Sequence, residues 1–307
     1  MNEQELAEAR SRGYGLLARL LVEGPTPALL ARAAETPLAE AMGDADGLAA
    51  SHYALFQLEV FPYVGLFLDD SGLLGGETAA AFEGHCRDAG FGASPDVASA
   101  DHLGAVAGLL AFLTGAEADA LADGQAEAVA SARRRALDTL DRWLLSWLLP
   151  FHAAAADAGE PFWVGVLDML AALAVSHRAA LGGAITAVEL PVPPADLLER
   201  RQTGLKAIAG YLLTPAHSGV WLSRQDIAAL ARGRDTPRGF GGRLQMLTNL
   251  LRNAAEYDDL PGLVGALDLL LTARVGNPHA LPEAHVAPWA DRVAATRALL
   301  ATVAAAA

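Results

Sequence analysis

A chain of 307 residues has room for one large domain or two ordinary ones, and 53% hydrophobic residues at a mean hydropathy of +0.27 supply ample core. A single cysteine, Cys86, excludes an intrachain disulfide, and a net charge of −14 argues against nucleic acid as the main partner. The N-terminus, MNEQELAEARSRGYGLL, lacks the basic-then-apolar order of a secretory signal, and no uninterrupted apolar run reaches ~20 residues. A cytoplasmic protein is expected.

Helical periodicity dominates in chain order. Leu6, Ala9, Gly13, Leu16, Leu17, Leu20 and Leu21 form the first stripe. Leu103, Val106, Leu110 and Leu113 form the next clear one, with Ser99 or Asp101 expected as its N-cap. Residues 132–149 place Leu140, Trp143, Leu144 and Trp147 on one face, which predicts that both tryptophans are core, and Pro150 is expected to end that helix. A further stripe covers 162–181 through Val166, Leu170, Leu173 and His177. The segment 182–196, rich in glycine and proline, reads as a stiff linker. Helices are expected beyond it at 197–213, 223–232, 242–256, 260–273 and 287–305, with a loop at 275–288; Ser223 and Asp226 form a capping-box-like start. No alternating β-branched runs with hairpin signals appear. The expected fold is all-α, with a helical domain over 1–190 and a smaller helical extension over 197–307.

Charge is unevenly placed. Residues 1–190 hold 10 Lys and Arg against 26 Asp and Glu, whereas 200–252 hold 9 against 2. An acidic body attracts cationic partners. Within the basic part, Arg232, Arg234, Arg238 and Arg243 crowd around glycines in RGRDTPRGFGGR and form a candidate anion site. The same region admits an alternative function, a helix-turn-helix DNA-binding regulator using 200–252, although its glycine- and proline-rich gap is longer than the usual turn.

No phosphate-binding glycine loop, dinucleotide fingerprint or nucleophile elbow is present, and the eight histidines show no metal-ligand spacing. No catalytic residue and no metal ligand is assigned. Asp69 and Asp70 allow an acid/base pair, a turn or a contact to a cationic ligand; Asp101 and His102 allow a dyad or a capping pair.

EVFPYVGLFLDDSGLLGG, residues 59–76, sets Phe61 just before a proline, and Tyr63 and Phe67 between that proline and a double glycine. It reads as a loop with exposed aromatics. Together with three other motifs it resembles the TorD/DmsD/NarJ family. The first is the helix with Arg10, Tyr14, Leu16, Leu17, Ala18, Arg19 and Leu20. The loop itself contributes Phe61, Pro62, Tyr63, Phe67, Leu68, Asp69, Gly72 and Gly75. Asp101, His102, Leu103, Phe112 and Leu113 follow, then Arg142, Trp143, Leu144, Pro150, Phe151, Phe162 and Trp163. The likeness spans residues 1–185.

The resemblance implies an all-helical cytoplasmic chaperone without a resident cofactor. Its partner would be the apo form of a molybdopterin oxidoreductase catalytic subunit and its leader peptide, with transient contact to the molybdopterin guanine dinucleotide during loading. The leader would meet Glu59, Phe61, Pro62, Tyr63, Asp69, Asp70, Asp101 and His102. The glutamate that the family carries after the Asp-His pair is missing from Gly104-Ala105-Val106-Ala107-Gly108.

Overall fold

The computed structural model describes residues 2–92, 97–194, 197–198, 204–232 and 241–305. Among them the fold is all-helical; the one extended feature is a single antiparallel bridge between Tyr63 and His102. The N-terminal body runs α1 (Glu3–Glu23), α2 (Pro27–Ala33), a 3-10 turn (Pro37–Ala41) and α3 (Ala45–Tyr53), which continues as a π-helical turn (Ala54–Glu59). Then come α4 (Gly65–Leu68), α5 (Glu77–Ala89), α6 (Leu103–Ala122) and α7 (Ala126–Asp138), a second π-helical stretch (Thr139–Leu145), α8 (Ser146–Ala158) and α9 (Pro161–Leu181). The extension holds α10 (Leu205–Leu213), α11 (Pro215–Ser218), α12 (Arg224–Ala231), α13 (Arg243–Glu256), α14 (Leu260–Ala273) and α15 (Glu283–Ala305).

The body forms around α1 and α6, which pack side by side. A Cβ on Gly104 would lie 2.4 Å from Val22 Cγ2 and 2.9 Å from the Ala18 carbonyl, so the backbones approach only because residue 104 has no side chain. Ala105, Val106 and Ala107 are buried with it. Of the turn that lacks the family's glutamate, residues 104–107 are therefore packed inside the body and offer no solvent face for a carboxylate. By length and composition α6 and α9 could each span a bilayer, although no uninterrupted apolar run was expected to. In the fold α6 spends Leu103, Val106, Leu110 and Leu113 on the core, and its buried Glu117 pairs with Arg133 at 2.6 Å.

The extension builds part of the body's core. Trp221, Leu281, Val286 and Trp289 join the cluster formed by α1, α6, α8 and α9. Farther along, Val293 and Leu300 of α15 belong to a second cluster made by α10, α12, α13 and α14. One helix thus enters two cores.

This packing corrects two helix boundaries. Pro150 lies inside α8, and Pro288 inside α15, which starts at Glu283. Proline lacks an N–H, so the Ser146 carbonyl loses its helical donor. The indole N–H of Trp289 fills that vacancy at 2.7 Å. Trp289→Phe should keep most of the burial and leave a buried carbonyl unpaired, costing about 1–3 kcal/mol in denaturant unfolding. A cost below the error of the extrapolation would mean the bond contributes nothing. Trp143 and Trp147 are both buried, as their shared face predicts, and the Ser223–Asp226 capping box opens α12.

Candidate functional site

The segments 59–70 and 99–104 meet through backbone bonds: Val64 N–H donates to the Asp101 carbonyl at 3.1 Å, and Leu103 N–H to the Pro62 carbonyl at 2.8 Å. All eight residues expected to meet a leader come from these two segments, but most of their side chains are engaged inside the fold. The expectation of an exposed aromatic loop is corrected. Tyr63 and Phe67 are buried, and Phe61 is half-buried edge-on to Trp221 at 5.8 Å. Pro62 is buried too, and Gly65–Leu68 forms one helical turn. The aromatics are there because the extension supplies an aromatic partner: Trp221 stacks on Phe67 at 5.3 Å and donates its indole N–H to the Glu59 carbonyl at 2.8 Å. The Glu59 carboxylate accepts from Gln225 N–H at 2.9 Å, complementing the positive end of α12.

Asp101 is not the N-cap of α6. Its carboxylate accepts from Gly65 N–H at 2.7 Å, and His102 caps the helix by accepting Gly104 N–H on Nδ1 at 3.0 Å. The two side chains serve different backbone groups. Burial, with His52 adding to it, lowers the His102 pKa to about 4, which keeps Nδ1 free to accept. Asp69 accepts from the Thr78 hydroxyl and closes the loop, while Asp70 is exposed.

What the segment does expose is its tip. Leu73 and Leu74 are 67% and 49% exposed, between Gly72 and Gly75, whose φ values of 62° and 77° favour glycine. Beside the tip lies a groove of about 640 Å³. Its lining includes Asp69, Glu77, Asp138, Asp141, Glu189 and, as the one cation among the described residues, Arg142. Trp143 also lines it, and its buried indole N–H has no acceptor among the described residues. Glu77, Asp138 and Glu189 are exposed carboxylates. Asp141 is committed: it accepts from Arg178 at 2.6 Å, His285 at 3.3 Å and Thr186 N–H at 3.2 Å. Burial alone would raise its pKa, but those donors outweigh it and hold the carboxyl below its usual range. Through Thr186, Asp141 also fixes the linker that forms one wall of the groove. Glu77, Asp138 and Glu189 escaped the sequence reading because they are scattered along the chain and only the fold collects them.

Within the candidate anion loop, Arg234 and Arg238 lie outside the described residues. Arg232 follows the C-terminus of α12. The Arg243 guanidinium sits 3.8 Å over the Trp221 ring and donates to the Leu222 carbonyl at 2.9 Å. Burial lowers its pKa to about 10 despite the opposing pull of Glu59. It is a packing cation beneath a tryptophan rather than part of an open anion cradle.

The described residues thus form an all-helical body with an acidic groove beside an apolar tip. Residues 23–153 match the family described as "Nitrate reductase delta subunit". That span is similar to the NarJ/TorD-type family of chaperones, whose members mature molybdoenzymes. No curated protein and no solved structure matches the chain.

Proposed function

We infer that this protein binds the leader or N-terminal segment of a molybdopterin oxidoreductase catalytic subunit in its apo form, and assists cofactor insertion without turnover of its own. The family supports the client class. The observation that supports the binding mode is the groove of about 640 Å³, with Glu77, Asp138 and Glu189 exposed beside the Leu73–Leu74 tip. A twin-arginine leader presents guanidinium groups followed by an apolar stretch. Planar guanidinium pairs well with carboxylates, and the apolar stretch gains by covering exposed leucines. Transient contact with molybdopterin guanine dinucleotide belongs to the same reading, with Arg232 as the remaining described member of the arginine set.

The test is calorimetry with a synthetic leader peptide from such a catalytic subunit. The double variant Leu73→Ser/Leu74→Ser should lose about 1 kcal/mol or more of binding, with folding stability within about 0.5 kcal/mol of wild type. Glu77→Gln/Glu189→Gln should weaken binding and reduce its salt dependence. Unchanged affinity in both double variants would remove the groove and tip from the leader site.

A further inference from the structure

We propose that His152, Asp168 and His279 form a binding site for a divalent first-row transition ion that ties the extension to the body. The site is independent of the chaperone reading and shares no residue with the groove. His152 lies on α8, Asp168 on α9, and His279 on the loop between α14 and α15. Their ligand atoms converge: His152 Nε2 is 2.7 Å from Asp168 Oδ1, His279 Nε2 is 3.2 Å from the same oxygen, and the two Nε2 atoms are 3.0 Å apart.

Protons alone satisfy this triangle badly. A neutral imidazole nitrogen is either an N–H donor or a lone-pair acceptor, and a carboxylate oxygen only accepts. If both nitrogens carry protons, both donate to the one Asp168 oxygen and their hydrogens crowd each other across the 3.0 Å between the nitrogens. If one does, the lone pair of the other nitrogen faces the carboxylate oxygen. If neither does, all three contacts repel. A single cation accepts all three lone pairs at once. Tetrahedral ligands at Zn–N and Zn–O lengths of about 2.1 Å stand roughly 3.4 Å apart, so the triangle needs to open only by tenths of an ångström. Two imidazoles and one carboxylate suit zinc and its neighbours.

The third ligand is held in place independently. Asn277 clamps its own loop, accepting Leu281 N–H at 2.8 Å and donating to the Leu281 carbonyl at 3.0 Å. Ala280, directly after His279, has φ 52°, a left-handed conformation that a side chain disfavours and that persists where the surroundings impose it. A cleft of about 470 Å³, lined by His152, Asp157, Arg274, Asn277 and His279, opens beside the cluster and leaves room for a fourth, exchangeable ligand. The sequence hides the site because its histidines lie 127 residues apart, so no local ligand spacing exists.

The experiment uses the full-length chain without a histidine tag, stripped with EDTA and titrated with Zn²⁺ by calorimetry. We expect one ion per chain and a rise in melting temperature on Zn²⁺ addition, since an ion that binds only the folded state stabilises it. His279→Ala and Asp168→Asn should each weaken Zn²⁺ binding about 100-fold or more and abolish the thermal shift. His279→Cys should restore binding, and with Co²⁺ it should add a thiolate-to-metal absorption band absent from wild type. Should His279→Ala lower the metal-free melting temperature, the cysteine variant decides: a Co²⁺–thiolate band supports the site, and its absence overturns it. Failure of wild type to bind Zn²⁺, or equal binding by wild type and His279→Ala, also overturns the proposal.

Discussion

Trp221→Ala should destabilise the protein by about 3–5 kcal/mol, as truncation of a fully buried aromatic does, and should separate one unfolding transition into two. Trp221 is a residue of the extension set in the body's core. Its ring lies between Phe67, stacked at 5.3 Å, and the Arg243 guanidinium at 3.8 Å, with Phe61 at its edge. Its carbonyl accepts from Arg274, whose guanidinium also reaches Asp157 at 3.0 Å and Asp226 at 2.7 Å. Removing the ring therefore takes a face from a desolvated arginine and loosens a link between α8 and α12. Trp221→Phe keeps the stack and loses the Glu59 bond, at a cost of about 1 kcal/mol. Urea unfolding followed by far-ultraviolet circular dichroism reads both. A Trp221→Ala variant that unfolds in one transition, within 1 kcal/mol of wild type, would contradict this account of docking.

Acid should weaken the fold between pH 6.5 and about 4, and two histidines should carry a measurable share. Burial holds His102 down to about 4 and His177 down to about 3, with Arg10 and Arg133 adding to the latter. Both stay neutral in the folded chain, whereas the unfolded chain protonates them near 6.5. Below that pH the unfolded state binds more protons, so stability that is complete above pH 6.5 declines as pH falls toward the folded values. A depression from 6.5 to about 4 corresponds to about 3 kcal/mol for His102. Protonation also removes the Nδ1 lone pair that caps α6, and it disturbs His177 Nδ1 where it meets the Tyr14 hydroxyl at 3.2 Å. His102→Asn keeps a capping oxygen and cannot titrate, and His177→Gln likewise removes the charge change. Each variant should be less stable than wild type at pH 7.5, and the gap should narrow by pH 4.5. A gap that stays constant with pH would exclude these histidines as the cause.

The helices were legible wherever a stripe ran for several turns, as from Leu6 to Leu21 and from Leu103 to Leu113. Boundaries were misread where the deciding partner is distant. Pro150 marks a helix end unless a donor reaches the carbonyl it orphans, and that donor is Trp289, 143 residues away. Phe61, Tyr63 and Phe67 read as exposed because their segment has loop chemistry, while their cover is distant in sequence: Trp221 of the extension for Phe61 and Phe67, and His102 for Tyr63. Asp101 is a better capping residue than histidine by propensity, yet its carboxylate is drawn to Gly65 N–H and leaves the cap to His102. The acidity of the body was visible in composition. Which carboxylates face one groove depends on α5, α7 and the linker meeting, and no periodicity records that.

The central claim, that the groove and the Leu73–Leu74 tip hold the N-terminal segment of a client, is tested most directly by site-specific photo-crosslinking. A photoreactive phenylalanine analogue at Leu73, and separately at Ala187 in the linker wall, is co-expressed with an apo molybdopterin oxidoreductase catalytic subunit; Leu269, 73% exposed on the extension, serves as control. Mass spectrometry should place the crosslinks from positions 73 and 187 within the leader or first residues of the catalytic subunit, and find none there from position 269. Crosslinks from 73 and 187 only to the body of the subunit, or equal leader crosslinking from 269, would contradict the claim.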